Sequence, residues 1–325
     1  MRVGLVGAGF MGGVHLNAYA AIPEVEVVGV ADARIESAEA GAAIVGARPY
    51  GSYEELVAAE DVEVVDVCLP TVFHRDIAVR AAAEGRHVIL EKPISRTIED
   101  AQEILDAFSG EGPRLFVGHV VRFFPEYVGI KEKIESGDLG TVGVVRTSRR
   151  SPLLFGWNDW YADWRISGGV LLDLVIHDFD FLRWALGEVE RVYARGVLGH
   201  EYNRLDYALT TLRFESGAIA HVEGHWGFPG LFNYSIEVAG SRALLTADSR
   251  EPASLELIGG ATDDVVDLAT GKSPYEAELA HFVRCISTGE EAIVEGRDAY
   301  EALRIGLAAT ESVLTGKPVT LGGRG

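Results

Sequence analysis

The sequence predicts an α/β protein: a doubly wound parallel sheet over residues 1–120, then a second α/β domain over residues 121–325 on a large, mostly antiparallel sheet. Three observations carry this. Short apolar runs without polar alternation recur through the first 120 residues, separated by segments of helical length, which is the pattern of parallel strands covered on both faces. From about residue 140, strand-like runs joined by turn signals such as Glu215-Ser216-Gly217 and Gly240-Ser241 replace that repeat. Between the first apolar run and the first helical segment lies a glycine-rich turn, Gly7 to Gly12.

In order, RVGLVG, VEVVGVAD, VEVVDVCLP, HVILEKP and RLFVGH are the strands of the first domain. Phe10 to Ala21, Ala33 to Gly46, His74 to Glu84 and Thr97 to Phe108 are its helices. In the second domain TVGVVRTSRR, RVYARGVL, YALTTLRF, AIAHVEGHW, NYSIEVAG and RALLTAD read as strands, and Gly168–Trp184 as a helix. Two helices, Tyr275–Thr288 and Arg297–Thr315, finish the chain, with VTL as a short last strand. The later strands place Tyr207, Leu209 and Thr211 on one side and Ala208, Leu212 and Phe214 on the other. Both sheet faces then read as partly apolar, so a homodimer or homotetramer joined through the sheet is expected.

With 48% hydrophobic and 24% charged residues the composition is that of an ordinary globular protein. A net charge of −20 argues against nucleic acid or an anionic membrane surface as partner, since both demand a basic face. No run reaches the roughly 18 apolar residues of a membrane span. Cys68 and Cys285 cannot build a disulfide framework, which fits a reducing cytoplasm.

The glycine turn, Gly7-Ala8-Gly9-Phe10-Met11-Gly12, follows a strand and opens a helix. Its first glycine permits the tight turn, its second lets a pyrophosphate approach the backbone, and its third allows close helix–strand packing. The helix N-terminus offers free N–H groups to the phosphates, a local device that an acidic protein needs. The second strand ends in Asp32, placed to accept from a ribose 2′-hydroxyl. That carboxylate repels a 2′-phosphate and favours NAD, while Arg34 nearby leaves NADP open.

Other polar residues gather at the same strand ends: Leu69-Pro70-Thr71, Glu91-Lys92-Pro93 and Gly118-His119. Ligands of open α/β sheets bind along that edge. Lys92 stands out because the chain has 5 Lys against 24 Arg. An ammonium on a flexible stem can point at one oxygen; the plainer reading is a solvated lysine ending a strand.

The segment GGVLLDLVIHDFDFLRW is apolar almost all round, yet contains Asp173, His177, Asp178 and Asp180. At about 100° per residue Asp173, His177, Asp180 and Trp184 share a stripe roughly 40° wide. Buried charge is costly, so the stripe faces solvent, a partner or a polar pocket. Asp173 and His177 could present a carboxylate and a proton-accepting imidazole to a substrate, or they could be satisfied core groups. No metal site is assigned: the His221/His225 pair lies in a strand, where i,i+4 residues are about 13 Å apart. The aromatic segment Leu153 to Trp164 either lines a pocket or packs at a seam.

GAGFMG with Asp32, Glu91-Lys92-Pro93 and GGVLLDLVIHDFD together resemble the glucose–fructose oxidoreductase, inositol dehydrogenase and MocA family. CLPTVFH, VGHVVRFFP and DWRISGG extend the resemblance over nearly the whole chain. It implies an NAD(P)-binding Rossmann domain and a C-terminal α/β domain for substrate binding and oligomerisation, whose open sheet makes the oligomer contacts. It places Lys92, Asp173 and His177 at the catalytic positions, and Pro70, Thr71, His74, Glu91, Trp164 and Arg165 around the nicotinamide end. His119 and Arg122 fall at substrate positions; His119 stands where an aromatic residue is usual, which leaves the substrate open.

The expected reaction is NAD-dependent hydride transfer from a secondary alcohol of a sugar or cyclic polyol. Whether His177 or Lys92 takes the proton stays open. So do two other functions for the same fold: an NAD-dependent glycosidase, and a dinucleotide-sensing protein without chemistry.

Overall fold

The computed structural model describes residues 1–153, 156–198, 205–251, 254–258, 264–267 and 273–322. In chain order the elements are β1 (Arg2–Val6), α1 (Phe10–Tyr19), β2 (Glu26–Ala31), α2 (Ile35–Val45), β3 (Arg48–Tyr50), α3 (Tyr53–Ala59), β4 (Val64–Val67), α4 (His74–Ala83), β5 (His87–Glu91), α5 (Ile98–Ala107) and β6 (Leu115–Gly118). There follow α6 (Pro125–Glu135), β7 (Val142–Ser151), α7 (Trp164–Ser167), α8 (Gly169–Asp173), α9 (Ile176–Leu186), β8 (Val189–Leu198), β9 (Leu205–Phe214), β10 (Ile219–Trp226), β11 (Asn233–Gly240), β12 (Leu244–Asp248), β13 (Ser254–Ile258) and β14 (Asp264–Asp267). The last elements are α10 (Pro274–Thr288), α11 (Gly296–Thr315) and β15 (Val319–Thr320).

The chain forms two compact units, Met1–Phe123 with Gly271–Tyr300, and Phe124–Thr270 with Glu301–Gly325. The return of Gly271–Tyr300 to the first unit departs from a simple division at residue 120. Its cause is apolar: Leu279 and Phe282 of α10 close the core formed by Val3, Val64, Ile89 and Phe116, with the Phe116 and Phe282 rings 5.0 Å apart.

The first unit holds a six-stranded parallel sheet in the order β3-β2-β1-β4-β5-β6. The order reverses between β1 and β4, which opens a crevice at their carboxyl ends. Five strands lie where the sequence pattern puts them. The sixth, β3, is three residues long and contains Pro49, so it leaves no periodic signal and sits at the sheet edge. Ser52 and Thr97 cap α3 and α5 by accepting from Glu55 and Asp100 N–H groups.

The second unit holds a nine-stranded sheet, β14-β13-β12-β11-β7-β10-β9-β8-β15, antiparallel except for the β7/β10 pair. Its inward face buries Ala208, Thr210, Leu212, Phe214, Ala220 and Val222 under helices. Gly224 of β10 is what admits α8 and α9: a Cβ there would lie 2.6 Å from Val175 and 2.9 Å from Val170. The outward face is more polar than Tyr207, Leu209 and Thr211 suggest. Arg146 pairs with Glu237, Arg150 with Glu223 at 3.0 Å, and Thr211 meets His221 at 3.2 Å. No helix of the described residues is long and apolar enough to cross a membrane.

Candidate active site

The glycine turn sits at the β1/β4 crevice. Gly7 has φ 102, and a Cβ on it would stand 2.6 Å from the Cys68 carbonyl oxygen; a Cβ on Gly12 would overlap the Gly7 oxygen. A Cβ on Gly9, by contrast, meets nothing within 4 Å. The loop is therefore packed shut beneath and open above, where a pyrophosphate would approach. No side chain caps α1, so its first N–H groups are available to an anion. Phe10 is 85% exposed over this opening, and Met11 is half-buried behind it.

Asp32 has a second task besides any ribose. Its Oδ2 accepts from Ala8 N–H at 3.0 Å and its Oδ1 from Arg34 N–H at 2.8 Å, tying the glycine loop to the end of β2. A carboxylate offers about four acceptor positions, so a ribose hydroxyl can still be taken. The Arg34 guanidinium lies 3.9 Å from Asp32 and is largely exposed.

Thr71 and His74 are buried, and Leu69 and Pro70 half-buried, at the end of β4. The His74 ring spans two loops, with Nδ1 3.0 Å from the Pro93 carbonyl and Nε2 2.9 Å from the Leu69 carbonyl. Burial pushes its pKa below the ordinary value, against these two carbonyls. A neutral ring donates to one of them at a time. His74 thus frames the edge from beneath. Lys92, half-buried, follows β5 and begins a cis peptide to Pro93; its N–H donates to Glu91 Oε2 at 3.0 Å.

Arg122 is 1% exposed, and its Nη1 donates to the Ile293 carbonyl at 2.7 Å and pairs with Asp298 at 3.2 Å, all within the first unit. The turn Val120–Phe123 packs against α10, and the guanidinium is turned inward. His119 is fully buried as well.

In the second unit Asp163 caps α7 by accepting from Arg165 N–H at 2.9 Å; Trp164 is half-buried and Arg165 exposed. The helix expected over Gly168–Trp184 is broken. α8 ends at Asp173, Val175 N–H reaches back five residues to the Val170 carbonyl, and α9 starts at Ile176. Asp173 and His177 therefore stand on two helices, on either side of the break, and the single stripe does not persist. Asp173 is buried and His177 half-buried.

Asp178 has a different fate. Its Oδ2 accepts from Arg149 Nε at 2.7 Å, and Arg149 Nη2 donates to the Tyr127 hydroxyl at 3.0 Å. The guanidinium also lies 5.2 Å from the Tyr234 ring centroid. This pair, buried on both sides, pins α9 to β7. Of the aromatic segment, Leu154 and Phe155 lie outside the described residues. Trp160 stacks on Tyr161 at 4.3 Å, and Tyr161 packs edge-on to Trp226 at 5.6 Å, so this part of the segment packs on the sheet.

Two residues that no sequence motif marks are brought together in the first unit: His15 of α1 and Asp66 of β4. The one available signal is a single aspartate interrupting the apolar strand VEVVDV. Two groups of metal-capable side chains occur among the described residues, His15/Asp66/Cys68 and His281/Cys285/Glu290. Each includes one of the two cysteines, and neither includes Lys92, Asp173 or His177.

Residues 1–119 match the family model of the GFO/IDH/MocA oxidoreductases, described as an NAD-binding Rossmann fold, and residues 127–246 match the C-terminal domain of the same family. The chain is 30% identical to the myo-inositol 2-dehydrogenase of Thermotoga maritima, covering 99% of this chain and 98% of that one. A crystal structure of a putative myo-inositol dehydrogenase from Sinorhizobium meliloti superposes with a TM-score of 0.85 at 30% identity, covering 99% of this chain and 100% of that one. GenD2 from gentamicin A biosynthesis, solved in complex with NAD, gives a TM-score of 0.89 at 27% identity over 99% of this chain and 97% of that one.

Proposed function

The chain belongs to the GFO/IDH/MocA family of oxidoreductases, and from that premise we propose that it is an NAD-dependent dehydrogenase oxidising a secondary alcohol of a sugar or cyclic polyol. The observation that carries this reading is the position of Lys92. It follows β5 on the same carboxyl edge as the open glycine turn, beside the β1/β4 crevice. Nearby relatives named as inositol dehydrogenases support a polyol substrate.

Gly7, Gly9, Gly12 and the N-terminus of α1 would hold the pyrophosphate, and Asp32 would take the ribose. A bound nicotinamide would supply the hydride acceptor. His177, or else Lys92, would receive the hydroxyl proton as the alcohol becomes a carbonyl. With His177 as the base, Lys92 would stabilise the charge developing on the oxygen, and Asp173 would orient the hydroxyl. The free cysteines Cys68 and Cys285 fit a reducing cytoplasm. The outward sheet face is the surface through which a homodimer or homotetramer would form.

Purified protein given NAD and a panel of inositols, aldoses and sugar acids should accumulate free NADH. His177→Ala and Lys92→Met should each lower turnover by about a hundredfold, with thermal stability and NAD affinity little changed. Wild-type turnover by His177→Ala would remove that residue from the mechanism. Bond cleavage without free NADH would favour the glycosidase instead.

A further inference from the structure

We propose that His15 and Asp66 are positioning residues for Lys92, acting through Glu91 along a buried chain of side chains. The proposal rests on the reading that Lys92 acts on the substrate.

The chain runs in three steps. Asp66 Oδ2 lies 2.8 Å from His15 Nδ1, His15 Nε2 lies 3.2 Å from Glu91 Oε1, and Glu91 Oε2 accepts the backbone N–H of Lys92 at 3.0 Å. His15 and Asp66 are 0% exposed and Glu91 6%. β4 is a central strand of a parallel sheet, where apolar residues are the rule, and an uncompensated carboxylate there would be severely penalised. The chain compensates it.

Both ring nitrogens of His15 face carboxylates, which only accept, so both must carry protons. His15 is thus an imidazolium between two carboxylates. Burial opposes its charge, but the Asp66 charge and hydrogen bond act the other way, and the pKa lies well above the ordinary value. Burial likewise opposes the charge on Glu91, while His15 holds that carboxyl below its usual range. Burial and the Asp66 charge push the Cys68 thiol up to about 12, so near neutrality it is a thiol. So protonated, the triad is a hydrogen-bonded ion chain. The Tyr19 and Tyr275 rings pack around His15 at 6.5 and 6.4 Å and keep water away.

The consequence falls on the backbone from which Lys92 projects. Glu91 holds its N–H, while His74 meets the Pro93 carbonyl on the other side. Removing His15 leaves Glu91 a buried anion without its partner, and the carboxylate must turn towards other donors. Lys92 then loses its fixed origin. A shift of about 1 Å in a reacting group can cost about a hundredfold in rate, so even a partial loss of aim is measurable.

A double-mutant cycle tests this. His15→Gln, and the near-isosteric Glu91→Gln should His15→Gln fail to fold, ought to lower single-turnover NADH formation by at least about tenfold. The probe is NAD with the best alcohol from the panel above. NADH affinity, read by its fluorescence, should stay near wild type. In a Lys92→Met background the same substitutions should cost almost nothing further, because the group they aim is gone. Acetylation of Lys92 by acetic anhydride, normalised to Lys131 by peptide mass spectrometry, should shift in His15→Gln without any substrate present.

An equal loss in both backgrounds, or unchanged turnover and labelling in His15→Gln, would overturn the proposal. So would one equivalent of metal retained by the purified protein and lost in Cys68→Ser. If Lys92→Met alone leaves turnover intact, the assignment of Lys92 itself has failed, a result distinct from these.

Discussion

Each unit buries an ion cluster of its own. In the second, Arg149 and Asp178 form a closed pair, 2.7 Å apart, lined by Tyr127 and Tyr234. In the first, Asp66, His15 and Glu91 form a line whose last member bonds the backbone of Lys92. The two are alike in burial and in pairing. They differ in where they lead: one ends within the fold, tying α9 to β7, while the other ends at the edge where a dinucleotide binds. A buried charge is therefore no sign of chemistry by itself; its connection to an open edge is. Asp178 and His177 make the point at closer range, adjacent in sequence yet one buried in an ion pair and the other half-exposed.

The largest effect that would break this comparison is on the closed pair. Asp178→Ala strands a buried guanidinium and should cost about 3–5 kcal/mol of unfolding free energy in urea. NAD affinity should hold wherever the variant is folded. A weakened NAD affinity in the folded variant would show that the pair is not merely structural.

A second, smaller effect concerns the open chain and its pH dependence. His15 has a raised folded pKa, so its stabilisation is complete below its ordinary value of 6.5 and is lost as pH rises through the folded value. Glu91 has a lowered one, so its share is present above its ordinary 4.5 and is lost as pH falls through the folded value. Between about pH 6 and about pH 9, wild type should therefore lose stability with a component no steeper than one proton, about 1.4 kcal/mol per pH unit. Burial and Asp66 raise Tyr19, and burial raises Cys68, so both add to any decline at the alkaline end. The test is thus the difference from His15→Gln, which should lack the His15 component. Parallel urea midpoints for the two proteins would sink it.

The smallest effect is on cofactor choice. Asp32 should favour NAD over NADP by at least about tenfold, roughly 1.4 kcal/mol, and Asp32→Ala should erode that preference. Because Asp32 also holds Ala8 and Arg34 N–H groups, the same variant should weaken NAD itself somewhat. Titration in which wild type prefers NADP would shift attention to Arg34.

Much of this molecule is legible in its amino-acid order alone. The five principal strands of the first sheet, the glycine turn and the placement of Asp32 and Lys92 at strand ends follow from local periodicity, because a strand's exit and its next residues share one short stretch of chain. Seven of the second sheet's nine strands are readable for the same reason, down to the inward set Ala208, Leu212 and Phe214, while β13 and β14 are not among them. Pro49 hides β3, and the helix α6 follows VVRFF, an apolar run without helical period.

What the sequence could not decide is which charge meets which. Helical geometry puts Asp173 and His177 on one stripe, but the helix is broken between them, where Val170 and Val175 pack over Gly224. Arg122 meets Asp298, 176 residues away, through its Nη1. His15 meets Asp66 across 51 residues and Glu91 across 76. Period and propensity tell which face of an element a side chain occupies. Its partner is set by how elements distant in sequence stack against that face, and with it whether a buried charge is neutralised in place or linked to the edge where a ligand binds. Those contacts exist only once the units have folded.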